Sequence, residues 1–190
     1  MKSHFLRLAA FAFLITLLQT GTTIAAAPPH LVKDINTTRI PASSGVHDLC
    51  AVGSTLFFAT TDGTHGRGLW KSDGTFSGTV LVKEILNGSN SPQLTSLTAV
   101  GSALYFVSSD YATYYKLWKS DGTETGTVMV KEIAGGSSYI SDLTAVGNML
   151  YFRANDGTNG LELWKSNGTE AGTTQVKDIN PGGAVRTPLI

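Results

Sequence analysis

Cysteine is all but missing from this chain. Cys50 stands alone, so no internal disulfide can form and the fold rests on packing. Charge is also scarce: 15% of residues are charged, against about 25% in an average soluble protein. The formal net charge is zero, and without Lys2 and Arg7 it becomes 12 basic against 14 acidic side chains. That balance leaves no electrostatic footprint for nucleic acid or anionic lipid. Beyond residue 27 the chain has neither a long apolar run nor a stretch of helical period, which argues against a membrane span in the mature chain and against a helical fold. What it has in quantity is glycine, 21 copies, as expected of a fold with many tight turns.

Residues 1–27 read as a secretory signal peptide. Lys2 and Arg7 make a positive start, Leu8 to Leu18 is apolar apart from Thr16, and Ala25-Ala26-Ala27 offers small residues for cleavage. The apolar run is about half of the roughly 20 residues needed to cross a bilayer. The expected address is therefore secreted or extracellular, with the periplasm or cell surface as its variants.

The remainder repeats itself. Leu49-Cys50-Ala51-Val52-Gly53 returns as Leu97-Thr98-Ala99-Val100-Gly101 and Leu143-Thr144-Ala145-Val146-Gly147. Leu56-Phe57-Phe58 returns as Leu104-Tyr105-Phe106 and Leu150-Tyr151-Phe152. Leu69-Trp70-Lys71-Ser72-Asp73-Gly74-Thr75 returns at 117–123 and, with Asn167 for the aspartate, at 163–169. Val82-Lys83-Glu84-Ile85 returns as Val130-Lys131-Glu132-Ile133 and Val176-Lys177-Asp178-Ile179. The signature tryptophans Trp70, Trp118 and Trp164 lie 48 and 46 residues apart. A period of this size, divided into four short strands by glycine-bearing turns, matches a propeller blade. Asp73-Gly74, Asp121-Gly122 and Asn167-Gly168 are hairpin-type turn pairs, because glycine accepts positive φ and the Asx side chain bonds the turn backbone.

The expected fold is all-β, a propeller-like array of four-stranded blades. Blade 1 spans 46–85, blade 2 spans 94–133 and blade 3 spans 140–179. Residues 28–45 hold a lone fourth strand, Leu31 to Ile35, and a linker; 180–190 begin a further, truncated linker. Three blades fall short of the four to eight that close a ring. Either several chains complete it as a homo-oligomer, or the chain is a fragment of a larger array.

With those motifs in place, the chain resembles the ELWxxDGT repeat family of exported, mainly bacterial proteins. The likeness runs from Leu31 to about Pro181. Only Glu162 supplies the leading glutamate, where Gly68 and Lys116 stand in the other copies. The resemblance implies export and a propeller-like repeat array, and it supplies no defined activity.

Candidate chemistry is thin. Asp62-Gly63-Thr64 and Asp156-Gly157-Thr158 could offer oxygens to calcium, but the ion wants six to eight converging ligands and the Asp-x-Asp-x-Asp-Gly spacing is absent; turns are the favoured reading. The tryptophans could stack on sugars, although identical blade positions favour packing. Tyr111, Tyr114 and Tyr115 break the repeat in a loop and are weak ligand-binding candidates. His4, His30, His47 and His65 lack a nucleophile context, and no phosphate loop or zinc motif occurs. Cys50 reads as a plain strand residue rather than a reactive thiol. Asn36, Asn87 and Asn167 begin glycosylation sequons. No catalytic residue, metal or cofactor is assigned. The expected function is a non-enzymatic scaffold for an unknown protein or polysaccharide, with no nucleic-acid partner. The alternatives are a fragment of a structural or adhesive surface protein, and an exported propeller hydrolase.

Overall fold

The computed structural model describes residues 29–36, 44–85, 93–109, 114–134, 139–179 and 181. The signal-peptide reading at 1–27 lies outside the described residues, as does nearly all of 180–190. Among the described residues no helix occurs, and none is long and apolar enough to cross a membrane.

Twelve strands form three four-stranded antiparallel sheets. Sheet 1 runs in the order β1 (His47–Val52), β2 (Thr55–Thr60), β3 (Gly68–Ser72), β4 (Val80–Glu84). Sheet 2 comprises β5 (Gln93–Val100), β6 (Ala103–Ser109), β7 (Tyr114–Ser120) and β8 (Val128–Ala134). Sheet 3 comprises β9 (Tyr139–Val146), β10 (Met149–Asn155), β11 (Leu161–Ser166) and β12 (Thr174–Lys177). Each is an up-and-down meander, the topology that short turns between consecutive strands dictate. The first hairpin of every sheet closes on two residues, and Gly53, Gly101 and Gly147 take φ near +60° there, a conformation that would strain a side chain. The middle strands pair in one register throughout: Phe58 faces Trp70, Phe106 faces Trp118 and Phe152 faces Trp164.

The cores lie between sheets. Phe57, Ala59, Leu69 and Val82 of sheet 1 meet Leu94, Leu104 and Phe106 of sheet 2. Val107, Leu117 and Val130 of sheet 2 meet Leu150, Phe152 and Trp164 of sheet 3. A strand covered on both faces has to be apolar on both, which explains the continuous Leu-Phe-Phe-Ala run in β2. In β10 the pattern changes: Leu150 and Phe152 are buried while Arg153 is exposed.

Two expectations need correcting. Leu31 to Ile35 forms no strand; the segment meets sheet 1 through the Lys33 side chain rather than a backbone ladder, Nζ donating to the Thr79 carbonyl at 2.9 Å. Tyr114 and Tyr115 are not in a loop. They extend β7, paired with Ala134 and Ile133 of β8, where aromatic residues fit a pleated surface.

The first strands also share an unforeseen irregularity. Asp48, Ser96 and Asp142 adopt φ of 51°, 59° and 56°, and the register with the second strand shifts there in each sheet. These are bulges at one repeat position, built on left-handed residues that are not glycine.

Candidate functional site

The Asp-Gly-Thr turn is a hydrogen-bonded polar feature common to all three sheets. In sheet 2 the Asp121 carboxylate accepts the Thr123 amide at 2.8 Å and the Thr123 hydroxyl at 2.7 Å. The Thr123 hydroxyl in turn accepts the Gly126 amide at 2.9 Å. Buried Ser120 and Thr127 share a 2.7 Å hydrogen bond across the base of the loop. The same bonds recur around Asp73 and around Asn167. Asn167 serves because the turn needs one acceptor oxygen, not a charge. The Thr75 and Thr123 hydroxyls, with their backbone amides, hold the Asp73 and Asp121 carboxyls below the usual carboxylate range. A side chain at Gly126 would begin on top of the Asp121 carboxylate, so the second glycine of the motif is as necessary as the first.

Lysines tie the units together. Lys83 donates to the Thr127 carbonyl at 3.0 Å, and Lys131 donates to Thr173 at 3.0 Å. Lys33 makes the same contact one unit earlier, on Thr79. Lys71 donates to the Gly122 carbonyl at 2.8 Å, and its charge adds to the lowering at Asp121. The Lys119 ammonium stands beside Gly168 and Tyr105. The repeated Trp-Lys and Val-Lys pairs were visible in the sequence, but what their lysines reach was not.

The signature tryptophans are packed. Trp70 and Trp164 are buried. Trp118 stacks on Phe106 with ring centroids 6.0 Å apart and gives its indole N–H to the Ser108 hydroxyl at 2.9 Å. Trp164 stacks on Phe152 and carries Lys131 over its face. Tyr115 meets Tyr139 of sheet 3 edge-on at 5.6 Å, Tyr111 lies outside the described residues, and of Tyr114 only the backbone is described.

The earlier Asp-Gly-Thr loops are also turns. Asp62 accepts the Thr64 and His65 amides and faces the His65 ring at 2.6 Å; Asp156 accepts the Thr158 and Asn159 amides. Burial pushes the Asp62 carboxyl up, and the bonds from His65 and Thr64 outweigh it and leave it lowered. The bond from Asp62 raises the exposed His65. Among the described residues no three His, Cys, Asp or Glu side chains converge as a metal set. Burial raises the Cys50 thiol, which keeps it protonated and a weak nucleophile.

One groove opens to solvent at the turn-bearing rim between sheets 1 and 2. It encloses about 420 Å³ and is lined by Val52, Thr55, Phe57, Ser102 and Asp121, with Gly53 and Gly101 at its hairpins. Its one carboxylate, Asp121, is engaged by the Thr123 amide and hydroxyl.

No family model matches the chain, and no curated protein matches it. Among solved structures it is similar to an α-L-arabinofuranosidase from Clostridium thermocellum, with 10% identity and a TM-score of 0.34 over 67% of this chain. The match spans 49% of that protein, so the chain covers about half its length. A likeness this loose says nothing about activity.

Proposed function

We propose that this chain is an exported, non-enzymatic repeat protein of the ELWxxDGT kind. Its sheets are the blades of a propeller-like array, and it works as an interaction scaffold at or outside the cell surface. The observation that carries the reading is where the repeated polar groups are spent. The turn Asx residues, the Ser–Thr pairs and Lys71, Lys83 and Lys131 hold loops or join one sheet to the next, so the signature is scaffold chemistry. The blade reading is supported by the way successive sheets approach most closely through their first strands, β1 on β5 and β5 on β9, as strands nearest a central axis do. Export is supported by residues 1–27 of the sequence.

The partner class is a protein segment or polysaccharide engaging the rim between sheets, because that is where the repeat leaves an open groove. Purified chain incubated with glycosides, esters and peptides is expected to leave all of them intact, and turnover of any one that follows the folded fraction would overturn the reading. Fractionation with N-terminal sequencing is expected to place the chain outside the cytoplasm, starting at Ala26 or Ala27.

A further inference from the structure

The outward face of sheet 3 repeats, residue for residue, a face that sheets 1 and 2 use to bind their successors. Leu69 and Leu117 are 0% exposed because the next sheet covers them, whereas their counterpart Leu163 is 37% exposed. Val82 and Val130 are 6% and 4% exposed, and Val176 is 44%. Lys71 and Lys131 reach carbonyls of the following sheet; their counterparts Lys165 and Lys177 are exposed. Sheet 3 therefore holds a complete donor face.

The matching acceptor lies on sheet 1, where Phe58 and Trp70 are 4% and 7% exposed, so a docking sheet must displace the cover this chain already lays on that face. A side chain at Gly122 would meet Phe57 and Lys71 of the preceding sheet, and one at Gly168 would meet Tyr105 and Lys119. At Gly74 nothing lies within 4 Å, so this turn lacks its aromatic and its lysine. Asp121 feels Lys71 of the preceding sheet, while Asp73 is held by its own loop alone. Lys165 and Lys177 give the donor face positive charge, and Asp73 marks the acceptor. Two donor faces would repel each other, but a donor and an acceptor attract. The lysine seat on the Thr79 carbonyl is filled from within, by Lys33.

We infer that sheet 3 docks on sheet 1 of a second copy of this chain, Lys165 seating on the Gly74 turn and Lys177 displacing Lys33 from the Thr79 carbonyl. Made twice between two copies, this head-to-tail contact satisfies both. The Lys33 segment then acts as a removable plug, holding the seat in the single chain and yielding it on association. The inference stands on the contacts between sheets and draws on neither export nor lack of turnover, so it can fail or hold independently of the proposed function.

The test is the solution mass of the purified full chain by light scattering across a dilution series, with circular dichroism on the same samples. A two-chain species is expected. Leu163→Asp and Lys165→Glu, both on exposed positions, are expected to weaken association at least tenfold without changing the spectrum. Asp73→Asn keeps the turn, as Asn167 does in sheet 3, and is expected to weaken association several-fold. Lys33→Ala is expected to strengthen it, because the plug loses its hold. A folded monomer at every concentration would overturn the inference. So would a dimer indifferent to Lys165→Glu and Asp73→Asn, whichever of the other variants folds.

Discussion

At the scale of single residues, three repeats act as each other's controls. Thr98 and Thr144 give their hydroxyls to the carbonyls of Ser96 and Asp142, the left-handed residues two positions back. Cys50 holds the same position in sheet 1, and its thiol instead makes a long 3.8 Å contact with Ala51. Cys50→Thr should therefore supply the missing bond to Asp48 and raise stability by about 0.5–1.5 kcal/mol, measured by urea unfolding. In the turn, Thr127→Val takes away the acceptor of the Ser120 hydroxyl, which keeps only the Gly122 amide, and the donor to the Thr123 carbonyl, and should cost about 1–3 kcal/mol. Acid should loosen the same loops. Asp73 and Asp121 have lowered carboxyls in the folded state, so their contribution is present above the unfolded value of about 3.9 and is lost as pH falls through the lower folded value. Thermal melting between pH 5 and 2 should show this, and Asp73→Asn with Asp121→Asn should flatten the response. His65 has the opposite sign: its raised value stabilises below the unfolded value of about 6.5 and fades as pH rises through the folded one.

At the scale of elements, the strands were legible and their irregularities were not. Four landmarks repeated in step fix the sheets, and alternation in β10 separates buried Leu150 and Phe152 from exposed Arg153. The bulges at Asp48, Ser96 and Asp142 escaped notice because their residues differ in type and none is glycine; only their shared place in the repeat marks them. Ser96→Gly should be neutral or mildly stabilising, since glycine takes φ of 59° without penalty, whereas Ser96→Val should cost about 1–3 kcal/mol. Guanidinium unfolding of the pair reads the difference directly. The tyrosines of β7 misled for a related reason. Departure from a repeat suggests a loop, but at Tyr114 and Tyr115 it lengthens a strand whose partners in β8 are in place. The Leu31 to Ile35 segment has the composition of a fourth strand but pairs with no strand among the described residues, and pairing, not composition, makes a strand.

At the scale of the whole molecule, stability is shared between neighbours. Phe106 belongs to sheet 2 but packs in the core with Phe57 and Leu69 of sheet 1. Phe106→Ala should cost about 3–5 kcal/mol, and amide exchange should quicken in sheets 1 and 2 before sheet 3. Such nearest-neighbour coupling is the expected behaviour of a repeat array. The sequence announced the sheets but not the ties between them: a lysine that reaches a carbonyl 42–51 positions downstream leaves no local pattern.

Those ties all point the same way along the chain. The lysine belongs to the earlier unit and the carbonyl to the later one, in every case from Lys33 to Lys131. During synthesis the lysine-bearing unit emerges before the unit whose carbonyl it holds, so each donor is in place when its acceptor arrives. The rule is also indifferent to how many units there are. Because the acceptor is backbone, this tie does not depend on the side chains of the unit that follows, and the gain or loss of one whole period leaves its chemistry unchanged, while the packing beside it still has to match. A protein joined in this manner keeps one kind of tie at every junction whatever its number of units.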